Sequence, residues 1–214
     1  MISDHSSGAA AGAQPAASPG GAVPMLRLRR GEDRRLRAGH QWVFANEVDV
    51  AVTPLTAFKP GDHARIHDWR EQFIGFAYVN PHALICARIM SRDPQQPIDH
   101  ALLVQRLEAA LRLRTRYFSA PCYRLVFGES DGLPGLVLDR YGETLVGQIA
   151  TAGMEALRPA IEAAIDAVLA PANLVWKNDG GARALEQLPA EIVCARGALP
   201  EALRRGHQQA SSVV

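Results

Sequence analysis

The chain has no Cys-x-x-Cys pair, no continuous apolar run near the ~18–20 residues that cross a bilayer, and no glycine-rich nucleotide-binding signature. Each absence closes a class. The cysteines, Cys86, Cys122 and Cys194, are odd in number and far apart, which argues against a zinc ribbon or a thioredoxin-like site and fits a reducing, cytoplasmic setting. The histidines (His5, His40, His63, His67, His82, His100, His207) do not gather at metal-ligand spacing, so no metal site is assigned. Without G-x-G-x-x-G after a strand there is no dinucleotide fingerprint. The P-loop pattern and the Gly-x-Ser-x-Gly elbow of hydrolases are missing too. An excess of one charge is also lacking, with 23 Lys+Arg against 22 Asp+Glu. Bulk charge therefore points to no polyanionic partner. The N-terminus lacks the basic and apolar regions of a signal peptide.

What is present is local. Residues 25–97 hold 11 basic and 8 acidic side chains, and most of that excess falls near residue 30. Residues 1–24 are small, polar and low in complexity; ordering them would cost entropy with nothing to bury, so a disordered tail is expected. Residues 25–97 read as short strands with turn punctuation: 25–29, where Leu26 and Leu28 alternate with Arg27 and Arg29, then 41–50, 63–68, 73–79 and 84–90. Lys59–Asp62 reads as a turn. Such spacing predicts a small barrel or pseudo-barrel. In the 41–50 strand, Trp42 and Phe44 share a face and are expected in the core.

After a proline-bearing linker, Asp99 is a helix N-cap candidate, followed by a stripe of Leu103, Leu107 and Leu111. Residues 98–203 then read as strands, a helix over 154–169 whose regular part starts near residue 156 because Pro159 is tolerated only in a first turn, and more strands. The last segment, 204–214, is polar and aperiodic and reads as a tail.

Three segments could carry chemistry. In the first, Arg27, Arg29, Arg30, Arg34, Arg35 and Arg37 precede His40. The planar guanidinium fork matches phosphate oxygens, so these seven residues are the candidate RNA-binding set. A solvated face partly neutralised by Glu32 and Asp33 is the plainer alternative. In the second, GESDGLPGLVLDRYG (128–142), Glu129, Asp131 and Asp139 could pair for acid–base work, but Asp131–Gly132, Pro134–Gly135 and Tyr141–Gly142 read as turn dipeptides around a strand. The third, WKNDGGAR (176–183), is either a polar binding loop or a simple connection.

The opening LRLRRGEDRRLRAGHQWVFANEV resembles the start of the PUA-like domain in RlmI-type 23S ribosomal RNA cytosine-5 methyltransferases, with Gly39, His40, Trp42, Val43 and Phe44 matching its Gly-His-x-Trp-Val-Phe. YRLVFGESDGLPGLVLDRYG, residues 123–142, resembles the start of that family's central domain, and WKNDGGAR matches less closely the segment after its central helix. The resemblance covers residues 25–203. It implies an α+β chain of two domains: a PUA-like β-barrel over 25–97, then a linker helix and a small strands–helix–strands α+β domain over 98–203, with no Rossmann domain. In the family a further Rossmann-like domain binds S-adenosylmethionine (SAM). Its glycine-rich loop, Asp-Pro-Pro motif and catalytic cysteine find no match here, and Cys86, Cys122 and Cys194 fit no catalytic position.

The resemblance therefore implies no catalytic residue and no cofactor in this chain. The expected function is the RNA-binding front portion of a SAM-dependent rRNA methyltransferase, truncated near Arg204 and not competent alone. Ribosomal RNA is the expected partner, with a separate methyltransferase chain or a second copy as further candidates and no membrane. The alternatives are a non-enzymatic interaction or dimerisation module and an inert gene fragment.

Overall fold

The computed structural model describes residues 23–198. The tails expected at 1–24 and 204–214 lie outside the described residues, apart from Val23 and Pro24. The first unit contains β1 (Met25–Arg27), a single-turn helix α1 (Arg34–Arg37), β2 (Trp42–Phe44), β3 (His63–His67), β4 (Phe73–Val79) and β5 (Ile85–Ser91). They form one sheet in the order β1-β3-β4-β5-β2, antiparallel except for β1 beside β3. The alternation at its start works as the pattern predicts: Leu26 and Leu28 are fully buried, while the side chains of Arg27 and Arg29 turn outward. Gly61 closes the turn before β3 at φ 94°, a region open to glycine and strained for other residues.

The expected strand over 41–50 is shorter, and its phase is reversed. β2 ends at Phe44, where a 3₁₀ turn over Ala45–Glu47 begins. Val43, not its aromatic neighbours, fills the core at 0% exposure, while Trp42 is 40% exposed. β2 lies on the sheet edge, and its Val43 side meets the core of the first unit.

The second unit begins with α2 (His100–Tyr117), started by Asp99, whose Oδ1 accepts the Leu102 N–H at 2.8 Å. There follow β6 (Cys122–Phe127), β7 (Leu136–Tyr141), β8 (Thr144–Ile149), α3 (Ala152–Ala156), α4 (Arg158–Val168), β9 (Asn173–Asn178), α5 (Ala182–Leu185) and β10 (Glu191–Arg196). The helix expected over 154–169 is thus two, broken at Leu157 so that Pro159 sits in the first turn of α4, where its missing N–H is harmless. Leu103 and Leu107 of α2 and Ile161 and Ile165 of α4 share one core with Leu138, Leu145 and Trp176 of the sheet.

The sheet order is β10-β9-β8-β7-β6, and β8 and β9 run parallel. This corrects the expected fold class. A plain strands–helix–strands unit with nothing Rossmann-like was anticipated, but α3 and α4 carry the chain from β8 back to a parallel β9. That parallel β–helix–β crossover is the unit from which Rossmann-like sheets are assembled. Strand propensity along the sequence cannot distinguish it from an antiparallel return, because parallel pairing is decided by the long connection.

The two sheets are welded together. Phe76, Tyr78 and Met90 of the first belong to the core cluster of the second. Tyr78 is fully buried; its hydroxyl donates to the Pro134 carbonyl at 2.7 Å and lies 3.0 Å from Thr151 Oγ1. Burial pushes the Tyr78 phenol well above its ordinary pKa, so it stays protonated as a donor. Gly153 packs so closely on the Tyr78 ring that a Cβ there would fall 2.0 Å from Cδ2. Beside it, Glu186 accepts from Asn80 Nδ2 at 2.6 Å and from Arg88 Nη1 at 2.9 Å.

Candidate nucleic-acid interface

The arginine-rich stretch folds into the β1–α1–β2 corner, and the structure divides its members into two groups. Arg27 donates to Asp49 at 2.7 Å. Arg35 donates to Glu47 Oε1 at 2.7 Å and to the Trp42 carbonyl at 3.0 Å. Arg37 bridges Asp33 at 2.8 Å and Asp68 at 2.7 Å. Glu47 and Asp68 are themselves buried, so each needs its cation. These three arginines hold the corner together, and their charge is already answered.

Arg29, Arg30, Arg34 and His40 are different. All four are exposed, and among the described residues none forms an ion pair with a carboxylate. Arg29 Nε donates to the Val48 carbonyl at 3.1 Å, and the His40 carbonyl accepts from Arg92 Nη2 at 2.7 Å. Arg30 reaches across to Trp69 in the β3–β4 loop, its guanidinium carbon 5.1 Å from the ring centroid. Arg70 approaches the same ring at 4.5 Å. Cation–π contact of this kind holds the guanidinium groups beside an aromatic face.

Asp68 shapes that loop. Its Oδ1 accepts the N–H groups of Arg70 (2.8 Å) and Gln72 (2.9 Å), and Oδ2 takes Arg37. Burial pushes the Asp68 carboxyl up, but the Gln72 N–H, the Arg37 guanidinium and the Arg70 N–H outweigh it and hold the pKa below the ordinary value. Glu71 takes φ 61° to complete the turn. The sequence reading missed Trp69 and Arg70. The available signal was a tryptophan between an aspartate and an arginine in a short inter-strand loop.

The acids of 128–142 are structural. Asp131 takes a two-point contact from Arg114 at 2.8 and 2.7 Å, and Asp139 takes one from Arg124 at 2.9 and 3.1 Å. Glu129 Oε1 accepts Trp42 Nε1–H at 2.7 Å. In WKNDGGAR the turn at 179–182 is exposed, but two of its polar side chains serve the fold. Arg183 is buried, donating to the Ile149 carbonyl at 2.7 Å and to Glu155 at 2.8 Å, while Asn178 Oδ1 accepts the Ile149 N–H at 2.8 Å.

The family described as a PUA-like domain matches residues 26–92. Over 182 residues the chain is 32% identical to ribosomal RNA large subunit methyltransferase I of Vibrio cholerae serotype O1, a match covering 83% of this chain and 45% of that protein. The chain carries a PUA-like domain and is homologous to ribosomal RNA large subunit methyltransferase I. It spans less than half the length of this relative.

A solved methyltransferase complexed with SAH superimposes with a TM-score of 0.67 at 14% identity, over 83% of this chain and 44% of its own. A SAM-dependent methyltransferase from Streptococcus mutans does so with a TM-score of 0.64 at 15% identity, over 82% and 44%. These likenesses show the fold. They extend well past the PUA-like domain into the second unit and overturn the expectation that the chain holds nothing Rossmann-like. Among the described residues no helix is long and apolar enough to cross a membrane.

Proposed function

We propose that this chain docks ribosomal RNA for a methyl-transfer reaction, using the PUA-like domain as the contact surface. The observation that carries this is the pair of Arg30 and Arg70 over Trp69, two guanidinium groups without carboxylate partners among the described residues on an exposed tryptophan. Arg29, Arg34 and His40 extend the surface. Phosphates supply most of the affinity of such a surface, while guanidinium planes and the part of the indole left exposed can stack on an unpaired base. Arg27, Arg35 and Arg37 belong to the support of this surface rather than to the contact.

We infer that residues 23–198 do not hold SAM. Such a site needs a backbone cradle after a strand and an acidic ribose contact. The glycine turn after β6 is filled by Arg106 against Gly132 and Thr151 against Gly135, which leaves Gly180–Gly181 after β9. A Cβ at either glycine would meet open space, and the helix that follows has four residues. These residues do not fit the cofactor, and no chemical step is assigned to them.

One mixing experiment tests both statements. The purified chain is incubated with an rRNA fragment and methyl-labelled SAM. The RNA is expected to be retained with an affinity that falls as salt rises, and no label is expected in it. Robust label transfer would overturn the second inference, and failure to retain RNA at low salt would overturn the first.

A further inference from the structure

A cleft of about 470 Å³ opens where the two sheets meet, lined by Gln41 and Arg92 of the first unit, Arg106 of α2 and the 129–132 loop. Its size falls within the range of small-ligand sites. Two of its polar atoms, Arg106 Nε and Gln41 Oε1, are buried and have no hydrogen-bond partner among the described residues. Buried polar groups are nearly always satisfied, so each orphan marks a place where a partner belongs.

The charges around the cleft are unbalanced in one direction. Among the described residues Arg92 and Arg106 donate only to backbone carbonyls, those of His40 and Met90. Of the nearby carboxylates, Asp131 is held by Arg114 and the Phe127 N–H, whereas Glu129 Oε1 accepts the neutral Trp42 Nε1–H and Glu129 keeps its charge. Desolvation lowers the Arg92 pKa from its ordinary value. Ile89, Met90 and Leu113 add an apolar wall. The site thus offers two cations that outnumber its one carboxylate lacking a salt bridge, an apolar face and a buried acceptor. A phosphate, a flat ring and a ring or exocyclic N–H would answer these three in turn.

We propose that this cleft holds a single nucleotide of the docked RNA, its phosphate on Arg92 and Arg106, its base against the apolar wall and donating to Gln41 Oε1. The proposal rests on the RNA-docking reading, and the His40–Arg92 contact joins the cleft to the end of the basic segment. Bidentate guanidinium–phosphate recognition and edge-reading of an unpaired base are the usual means by which single-stranded RNA is held.

The test titrates the full chain with the four nucleoside 5′-monophosphates, the matching nucleosides and inorganic phosphate, followed by calorimetry or NMR. At least one monophosphate is expected to bind roughly tenfold more tightly than its nucleoside or phosphate alone, from the loss of charge-assisted hydrogen bonds in one case and of base contacts in the other. Arg92→Ala and Arg106→Gln are each expected to weaken it by a similar factor, and Gln41→Ala to flatten the preference among bases. Arg30→Ala/Arg34→Ala should leave monophosphate binding unchanged while weakening RNA.

Arg92 is exposed, so its alanine variant keeps the test open if Arg106→Gln fails to fold. A chain that binds the rRNA fragment but no monophosphate would overturn the nucleotide site alone. Inorganic phosphate binding as tightly as any nucleotide would also overturn it. A chain that binds the monophosphate but not the fragment would leave the cleft standing and sink the docking reading.

Discussion

Replacing Arg30, Arg34 and Arg70 together with alanine is expected to weaken binding of an rRNA fragment at least tenfold at low salt, and to make the plot of log affinity against log salt shallower by about 2 units. The reason lies in how the fold distributes its arginines. A guanidinium that faces a carboxylate releases no counterion when RNA arrives, because its charge is already neutralised. Arg30, Arg34 and Arg70 face none among the described residues, so each phosphate they meet displaces a condensed ion. Arg27→Ala and Arg35→Ala should behave oppositely. Arg27 and Arg35 hold Asp49 and Glu47, so their loss should lower stability and leave the salt slope nearly intact. Equal slopes for the Arg30/Arg34/Arg70 variant and the wild type would place the RNA surface elsewhere.

The second large effect concerns the seam. Glu186→Ala is expected to destabilise the protein by about 3 kcal/mol, measured by urea denaturation. Glu186 is 5% exposed and receives Asn80, Arg88 and, at 3.3 Å, the Ala152 N–H. Its removal leaves the Arg88 guanidinium, 12% exposed, with no counter-ion. The partners come from β4–β5, α3 and α5, so both sheets should lose stability together in one cooperative transition. A biphasic curve in which the first unit keeps its midpoint would contradict the welded seam. For contrast, removing Glu108 from its exposed 3.6 Å pair with Arg112 should change stability by less than about 0.5 kcal/mol.

How much of this could be seen beforehand follows the range of the interactions involved. The Leu26/Leu28 alternation, the Asp99 cap, the apolar stripe of α2 and the turns of 128–142 depend on neighbours within a few residues, and all are visible in the pattern. The division of the arginines is not. Arg27 meets Asp49 across 22 positions and Arg37 meets Asp68 across 31, so a run that looks uniform in sequence is half structural once folded. Trp69 was overlooked because nothing local announces that Arg30 will arrive beside it. The phase of β2 was misjudged because aromatic size pointed inward, whereas an edge strand of three residues buries only Val43. The parallel pairing of β8 and β9 depends on where the α3–α4 connection returns the chain, which hydrophobic periodicity does not encode. The cleft at the seam needs both sheets in place before Gln41, Arg92 and Arg106 share a wall.

The claim that Arg30 and Arg70 over Trp69 form the RNA contact is tested most directly by ultraviolet crosslinking of the wild-type chain to an rRNA fragment, followed by mass spectrometry of the peptide adducts. A base stacked on the guanidinium planes or the exposed part of the indole should give its principal adduct on Trp69 or its immediate neighbours, with the yield falling as salt rises. Adducts confined to the second unit, with Trp69 unmodified, would contradict it.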